Sequence, residues 1–357
     1  MSQRDRQGAH KGRGAVINPD NRYEAHTRDA VDDGWGALDE PAAALHTTLT
    51  ADASRRVISY NDSPDVPFDR SINPYRGCEH GCVYCFARPT HAWLGLSPGL
   101  DFEARLFYKA DAAALLRREL AARSYRCAPI AVGINTDAYQ PAERRLRITR
   151  DVLEVLAEAR HPLGIVTKSA LVERDLDILA GLASESRAEV AVSITTLDRE
   201  LARRLEPRAA APQRRLETVA RLREAGVPVS VLVAPVIPVL TDGELEAILQ
   251  QAREAGARAA GYVMLRLPHE LKEMFRAWLA HHEPLKAEHV MNRVRDLRGG
   301  RDNDPNFGSR MSGTGPYAEL IAQRFRTACR RLGYGELPAL DCSGFRPPRT
   351  TPQLDLF

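Results

Sequence analysis

Strand-like and helix-like segments alternate regularly over about 190 residues of this chain, and this pattern constrains the fold more than any other feature. Short apolar runs rich in β-branched residues, which predict strands, occur at 130–134, 163–167, 189–195, 229–234 and 260–265. Apolar residues at helical spacing separate them at 146–159, 176–183, 216–225 and 245–255. Helices that return the chain to the same edge of a sheet make neighbouring strands parallel, so the pattern predicts an α/β fold.

A further strand just before Cys78 brings the number of predicted parallel strands to six. Six strands are too few for a closed eight-stranded barrel and suit a partial (β/α)6 barrel, although the pattern also admits a doubly wound open sheet. We divide the chain into a flexible polar N-terminal arm able to order locally on the body, the partial barrel, a helical C-terminal extension and an extended Pro-rich tail. These parts span residues 1–54, 55–268, 269–344 and 345–357.

Three of the six cysteines, Cys78, Cys82 and Cys85, lie within eight residues in a C-x3-C-x2-C spacing. Three thiolates in one loop can each ligate one iron of a cubane cluster, whereas [4Fe-4S] clusters that only transfer electrons normally use four. The iron left open can accept the amino and carboxylate groups of S-adenosylmethionine (SAM). Gly77 and Gly81 allow the loop to fold tightly around such a cluster. The spacing therefore predicts a [4Fe-4S] cluster that binds SAM.

Three other interpretations of these cysteines stay open. A zinc site would combine them with His80 or His91. A four-ligand electron-transfer cluster would recruit a distant cysteine, Cys127, Cys329 or Cys342. The three cysteines would otherwise be structural, although their clustering in a chain with no predicted export signal favours a metal site over disulfides.

The segment from Asn73 to Cys85, NPYRGCEHGCVYC, resembles the radical SAM superfamily, and within it the branch related to spore photoproduct lyase. The resemblance covers residues 71–268, which is roughly the region of strand–helix alternation. It implies an enzyme that reductively cleaves SAM to methionine and a 5′-deoxyadenosyl radical, with an electron donor such as flavodoxin or ferredoxin. It also places Tyr84 beside the adenine of SAM, and together with the C-terminal motif described below, which is the main support, it favours a DNA lesion or modified nucleic-acid base as substrate.

Polar residues at the ends of the predicted strands are candidates for SAM binding, since ligand groups in parallel barrels sit at the carboxyl ends of strands. The second strand ends in Asn135, Thr136 and Asp137, where many superfamily members have a Gly-Gly-Glu motif that binds the SAM amine. This sequence departs from that motif, so the role carries over only as a position, with Asp137 the expected acceptor of the ammonium. An Asx-type turn is the structural alternative.

Further candidates follow the later strands. Lys168, one of only five lysines, follows the third strand as a site residue or a solvated side chain. Ser193 resembles the ribose-contacting residue of the superfamily, or else bonds to neighbouring backbone. Arg208 is a candidate partner of the SAM carboxylate. Arg266 ends the sixth strand and either faces the substrate or caps the barrel.

Cys127 stands immediately before the second strand. Spore photoproduct lyase uses a cysteine thiol as a hydrogen donor in a similarly placed segment, so the resemblance implies a catalytic role for Cys127. A buried structural cysteine is the alternative, because free cysteines behave as small hydrophobic residues.

Composition bears on location more than on substrate. The net charge is only +3, and the 45 arginines among the 50 cationic residues suit either phosphate binding or codon usage in a GC-rich genome. The longest apolar stretch, 227–240, contains three prolines and is too short to span a bilayer. Because the N-terminus has no apolar leader, we expect a cytoplasmic protein without a membrane partner.

The leading hypothesis is a radical SAM enzyme of lyase or oxidoreductase type that acts in DNA repair or nucleic-acid base chemistry. Two alternatives stay open. One is radical chemistry on a protein side chain or small metabolite, and the other is a non-catalytic metal-binding module that bridges partners. A fold of this class hosts many chemistries, so fold alone does not separate them.

The last five residues, Gln353, Leu354, Asp355, Leu356 and Phe357, resemble the Q-L-[SD]-L-F peptide by which bacterial repair and replication proteins dock on the DNA sliding clamp. Leu356 and Phe357 offer adjacent apolar anchors for one pocket, and Gln353 offers an amide for hydrogen bonding. Prolines just before them keep the tail extended, which lowers the ordering cost of binding. We therefore predict that the clamp is a partner.

A peptide of residues 345–357 should bind the clamp with micromolar-scale affinity, about −8 kcal/mol. Replacing both Leu356 and Phe357 by Ala should abolish binding, because the change removes both apolar anchors. Isothermal titration calorimetry measures the affinity, with Thr350→Ala as a control outside the motif. A full-length protein that shows no clamp interaction would remove this partner.

Overall fold

The computed structural model describes residues 10–24 and 45–349. Within them the strands are β1 Thr48–Ala51, β2 Ile58–Tyr60, β3 Arg70–Ile72, β4 Tyr75–Arg76, β5 Arg105–Tyr108, β6 Ile130–Val132, β7 Leu163–Thr167, β8 Ala188–Ser193, β9 Val229–Val236 and β10 Ala259–Met264. The helices are α1 Leu100–Ala104, α2 Ala112–Leu120, α3 Glu143–Leu146, α4 Ile148–Glu158, α5 Leu176–Ala183, α6 Arg199–Leu205, α7 Pro212–Glu224, α8 Leu245–Ala255, α9 Leu271–His282, α10 Ala287–Leu297 and α11 Gly315–Leu332.

Six parallel strands form the main sheet in the order β3, β6, β7, β8, β9 and β10, and β2 pairs antiparallel with the outer side of β3. Each connection between successive parallel strands from β6 onward contains at least one helix. The sheet is open, because β10 and β2 form its two edges. This topology confirms the predicted partial (β/α)6 barrel and places the strand ends that follow β3 and β6–β10 at one carboxyl edge.

The core lies between this sheet and the helices that cover it. Val231 of β9 and Val190 of β8 are fully buried, because strands of a parallel sheet are covered on both faces. Leu153 of α4 and Leu249 of α8 are equally buried and belong to the same apolar cluster. The barrel scaffold beneath the carboxyl edge is therefore a continuous apolar core.

A second, three-stranded sheet supports the loop that contains the cysteines. β5 lies at its centre, with β4 antiparallel on one side and β1 parallel on the other. β4 ends at Arg76, directly before the cysteine loop (residues 77–88). The small sheet thus fixes the point at which this loop leaves the barrel.

Residues 10–24, which we call the N-terminal strap, lie against the cysteine loop. The Glu103 carboxylate of α1 accepts hydrogen bonds from the backbone amides of Gly14 (2.9 Å) and Ala15 (2.8 Å). The Arg13 guanidinium donates to the Glu103 carbonyl at 2.7 Å. Gly14 approaches the loop so closely that an added Cβ would overlap the carbonyl of Gly81. The strap belongs to the predicted N-terminal arm, residues 1–54, and it is docked on the body.

The segment after α11 covers the amino edge of the main sheet. The Asp341 amide donates to the Ser186 carbonyl at 2.8 Å, and the Phe345 ring packs edge-on against His161 at 5.4 Å. The predicted clamp motif, residues 353–357, lies outside the described residues and stays a prediction. Among the helices of the described part of the chain, none has the length and apolar character needed to cross a membrane.

Replacing Gly14 by Ala should detach the strap, because the new Cβ would overlap the Gly81 carbonyl. Overpacking of this kind costs about 1–3 kcal/mol of unfolding free energy. Urea unfolding measures the loss, and trypsin should cleave faster at Lys11 and Arg13. Gly243→Ala is the control, since its Cβ would meet open space. Equal stability and equal cleavage rates in the two variants would contradict the docking.

Candidate active site

The cysteine loop turns sharply at two glycines with left-handed backbone. Gly77 has φ 78° and Gly81 has φ 68°, values that residues with a Cβ atom rarely adopt. A Cβ on Gly77 would lie 2.6 Å from the Leu106 side chain, and one on Gly81 would lie 2.8 Å from the Glu103 carboxylate. The Cys78 amide donates to the Phe102 carbonyl at 2.9 Å. The loop is therefore pressed against α1 and β5.

All three loop cysteines are free thiols in a desolvated setting. Burial raises the pKa of Cys78 well above its ordinary value, with the Asp137 charge adding to the effect. Burial likewise raises the pKa of Cys82 and Cys85. Soft thiolates are the ligands that iron–sulfur clusters use, and metal binding ionises thiols that burial keeps neutral. The chemistry of this donor set fits an iron–sulfur cluster.

The two histidines that the alternative zinc site would use each contact another group through one ring nitrogen. His80 lies with Nδ1 3.3 Å from an Asp137 oxygen. His91 contacts the Arg105 carbonyl through Nε2 at 2.9 Å and packs edge-on against Phe102, and burial lowers the pKa of His91 to about 4. No group of three or more His, Cys, Asp or Glu side chains within residues 10–24 and 45–349 has the geometry to hold a single metal ion.

Lys168, directly after β7, forms the centre of a polar cluster at the carboxyl edge. Its ammonium donates to Ser193 Oγ at 2.7 Å, to Thr195 Oγ1 at 3.2 Å and to the Ala234 carbonyl at 3.1 Å. It also lies 3.2 Å from a carboxylate oxygen of Glu206. The structure thus brings together two of the predicted residues, Lys168 and Ser193, from neighbouring strands.

Glu206, which follows α6, is the counter-charge of this cluster. It pairs with the buried Arg215 of α7, accepts a hydrogen bond from Thr195 at 2.7 Å and another from the Tyr84 hydroxyl. Burial opposes the ionised form, but Arg215 and then Lys168 outweigh it and hold the pKa of Glu206 below its ordinary value. The Tyr84 ring lies 5.6 Å from the Lys168 ammonium. This cluster borders Cys82, whose electrostatic surroundings include Glu206 and Lys168.

Asp137 lies on the other side of the loop, beside Cys78. Its carboxylate accepts hydrogen bonds from Thr167 Oγ1 (2.8 Å) and from the amides of Tyr139 (2.9 Å) and Lys168 (2.7 Å), and it contacts His80. The bond from Tyr139 is the Asx-type turn that the sequence offered as the structural alternative. Because four donors fill the carboxylate, a direct contact with the SAM ammonium would require one of them to leave.

The remaining SAM candidates lie around the same edge. The backbone amide of Asn135 donates to Oδ1 of Asn73 at 2.9 Å, and Asn135 is exposed. Thr136 is buried and its hydroxyl donates to the Tyr75 carbonyl at 2.8 Å, which ties β4 to the end of β6. Arg208 pairs with Glu79 of the cysteine loop at 2.9 Å.

Cys127 is not brought together with the other candidates. It precedes β6 and so lies at the amino edge, whereas the cysteine loop and Lys168 follow their strands at the carboxyl edge. Burial raises the pKa of Cys127 to about 12, and Cys342 of the segment that covers the amino edge adds to the effect. Its surroundings match the structural alternative rather than a thiol beside the site.

Sequence reasoning missed several residues that shape the site. Glu206 was visible only as the neighbour of Arg208, and its position before a proline after a helix was the available signal. Arg215 lies among many surface arginines of α7, and nothing in the sequence distinguishes it. Arg88 and Glu103, both fully buried, were also missed, because charged residues are rarely buried without partners that a sequence does not show.

Comparison with known proteins agrees with this architecture. Residues 72–252 match the Radical SAM superfamily. An "uncharacterized protein" of Mycobacterium tuberculosis is 42% identical over 255 residues, covering 71% of this chain and 73% of its own. Another, of Methanocaldococcus jannaschii, is 29% identical over 173 residues, covering 48% of this chain and 62% of its own.

Two solved structures share the fold. Spore photoproduct lyase complexed with dinucleoside spore photoproduct superposes with a TM-score of 0.57 at 16% identity, over 80% of each chain. A doubly substituted form with bound AdoMet and the same dinucleoside gives a TM-score of 0.58 at 15% identity, also over 80% of each chain. The match to the family over half of the sequence shows that the chain belongs to the Radical SAM superfamily, whose members use a [4Fe-4S] cluster and SAM.

Proposed function

We propose that Cys78, Cys82 and Cys85 hold the [4Fe-4S] cluster and that the protein is an enzyme acting on a base of nucleic acid, in DNA repair or base chemistry. The observation that carries the proposal is the grouping of three free thiols, two buried and one half-buried, on one loop at the carboxyl edge of a parallel sheet. When bound, the cluster supplies the electron that cleaves SAM to methionine and a 5′-deoxyadenosyl radical.

Lys168, Ser193, Asn135 and Arg208 would provide the SAM contacts. The Lys168 ammonium is a positive charge beside Cys82, and the carboxylate of SAM carries the opposite charge. Because Ser193, Thr195 and the Ala234 carbonyl already accept its three hydrogen bonds, the SAM carboxylate would have to replace one of them. Arg208 offers a second cation on the Glu79 side of the loop.

Tyr84, Thr136 and Asp137 would act by positioning. Asp137 holds the Lys168 amide and Thr167, so it fixes where the Lys168 side chain begins. Tyr84 keeps its ring beside the Lys168 ammonium because its hydroxyl is bound to Glu206. Thr136 joins β4 to the end of β6 and so supports the start of the cysteine loop.

A nucleic-acid substrate is supported by the fold shared with spore photoproduct lyase, which has been solved with a dinucleoside spore photoproduct. Anaerobic incubation of the reconstituted protein with SAM, dithionite and ultraviolet-damaged DNA tests it, with release of 5′-deoxyadenosine and changed DNA as the readouts. If the protein cleaved SAM without changing the DNA, the proposal of a radical SAM enzyme would stand and the proposal of DNA as its substrate would fail.

Replacing Cys78, Cys82 or Cys85 by Ala should abolish an oxygen-labile brown chromophore, because each removes one ligand. The unaltered protein, purified anaerobically, should contain about four irons and four sulfides per chain. Metal analysis and absorption spectra measure both. Cys329→Ala is the control, since that thiol lies on α11. Stoichiometric zinc without iron would contradict the assignment.

Lys168→Met should raise the Kd for SAM by about tenfold or more, since a charge-assisted hydrogen bond contributes about 1.5–3 kcal/mol. Iron content should stay near that of the unaltered protein, which separates SAM binding from cluster assembly. Anaerobic equilibrium dialysis measures the Kd. Lys286→Met, an exposed lysine beside α10, is the matched control. An unchanged Kd for Lys168→Met would contradict a SAM contact and leave Lys168 only its ion pair with Glu206.

A further inference from the structure

A cleft of about 610 Å³ opens beside the end of β10. Arg266, directly after β10 and Leu265, lines one side, and Lys272 of α9 lies nearby. Arg301 and Arg310 come from the loop between α10 and α11. The cleft is therefore a feature of the carboxyl edge, the same edge that carries the cysteine loop.

The charges that line this cleft are predominantly positive. Lys272 and Arg301 are exposed, and within the described ranges neither forms an ion pair. Arg266 has a buried Nε without a hydrogen-bond partner in those ranges, and one of its terminal nitrogens meets only the Met311 sulfur, at 3.3 Å. The one acidic residue that lines the cleft, Asp302, is already bound by Arg276 at 2.8 Å. Arg310 is paired with Asp65, which lies outside the lining of the cleft. Lys272, Arg301 and Arg266 are thus the cations of the cleft that form no ion pair within the described ranges.

Two exposed aromatic rings flank these cations. Phe86 directly follows Cys85, and the Arg266 guanidinium lies 5.7 Å from its ring centroid. Phe307 lies beneath the Arg310 guanidinium at 4.3 Å. Both rings are exposed, at 43% for Phe86 and 56% for Phe307. Phe86 therefore connects the cleft with the cysteine loop.

We propose that this cleft binds the phosphodiester backbone of single-stranded nucleic acid. Arg301 and Arg266 would contact phosphates because guanidinium forks match phosphate oxygens, and the Lys272 ammonium would do so as a point charge. Phe86 and Phe307 would stack on bases, the combination of basic groove and ring faces by which proteins hold single strands. The inference rests on the proposed function, and it places a bound base at Phe86, one residue from Cys85.

Nucleic acid fits these features better than an acidic peptide does. A peptide carboxylate would satisfy the cations of the cleft, but it has no planar partner for the two exposed rings. The Arg266 guanidinium lies 5.7 Å from the Phe86 ring centroid, so a phosphate on its terminal nitrogens and a base on Phe86 would lie within reach of one nucleotide.

The test uses the anaerobically reconstituted protein and fluorescently labelled single strands of about 12 nucleotides, one of DNA and one of RNA. Anisotropy gives the affinity between about 50 and 200 mM salt. Combined Lys272→Ala and Arg301→Ala should weaken binding and reduce the salt slope by about 1.4, since each phosphate contact on a single strand contributes about 0.7. Phe307→Ala should weaken binding at least about fivefold with little change of slope.

The matched control is the combined Arg326→Ala and Arg330→Ala variant, which removes the same charge from exposed positions on α11. Its affinity and slope should equal those of the unaltered protein. Equal losses in control and cleft variants would overturn the site, as would unchanged binding in the cleft variants or equally tight, cleft-dependent binding of polyglutamate. SAM cleavage by the unaltered protein is measured separately. If the protein cleaves SAM but fails these binding tests, the proposed nucleic-acid cleft is wrong and the proposed enzyme activity stands.

Discussion

The conformation of the cysteine loop depends on one fully buried ion pair, Arg88 with Glu103. Burying two charges costs several kcal/mol unless further hydrogen bonds satisfy their remaining donors and acceptors. Arg88 donates to the carbonyl of Cys82 at 2.8 Å and also to the carbonyls of Gly81, Pro98 and Gly99. Glu103 accepts hydrogen bonds from the backbone amides of Gly14 and Ala15. The pair therefore joins three segments that are distant in sequence, namely the strap, the cysteine loop and α1.

A second buried pair, Glu206 with Arg215, organises the opposite side of the loop. Arg215 also donates to the Ser193 carbonyl at 2.9 Å, so it binds the end of β8 as well as its counter-charge. Lys168 brings a second positive charge to the same carboxylate. The surplus positive charge beside Cys82 is a consequence of this geometry, and it suits an anionic ligand group there.

The barrel could be predicted from the sequence because its elements repeat a clear period. β7, α5 and α8 have the predicted bounds. α7 begins earlier than predicted, at Pro212, where a proline at the first helical position was an overlooked start signal. The strand predicted just before Cys78 coincides with β4, but β4 belongs to the small sheet, and β3 at 70–72 is the first parallel strand. The small sheet itself was not predicted, since strands of two to four residues carry no measurable alternation.

The site was predictable where strand order alone determines position. Lys168 and Ser193 end neighbouring strands, so parallel pairing brings them together. The same rule gives the position of Cys127. A residue just before a strand lies at the amino edge of the sheet, and the ligand groups lie at the opposite, carboxyl edge. Arg88 and Glu206 could not be foreseen, since each owes its burial to partners that only the tertiary structure supplies.

The two sides of the cysteine loop differ in how much room they leave. On the strap side, Gly14 is in backbone contact with Gly81 and Ala15 is buried, so no group larger than a hydrogen atom fits between strap and loop there. On the opposite side, Phe86 is exposed and borders the cleft lined by Arg266. The strap side therefore has no room for a nucleotide at Gly81, whereas the Phe86 side borders the cleft proposed above. The strap thus closes one face of the loop, and the basic cleft borders the face that remains open.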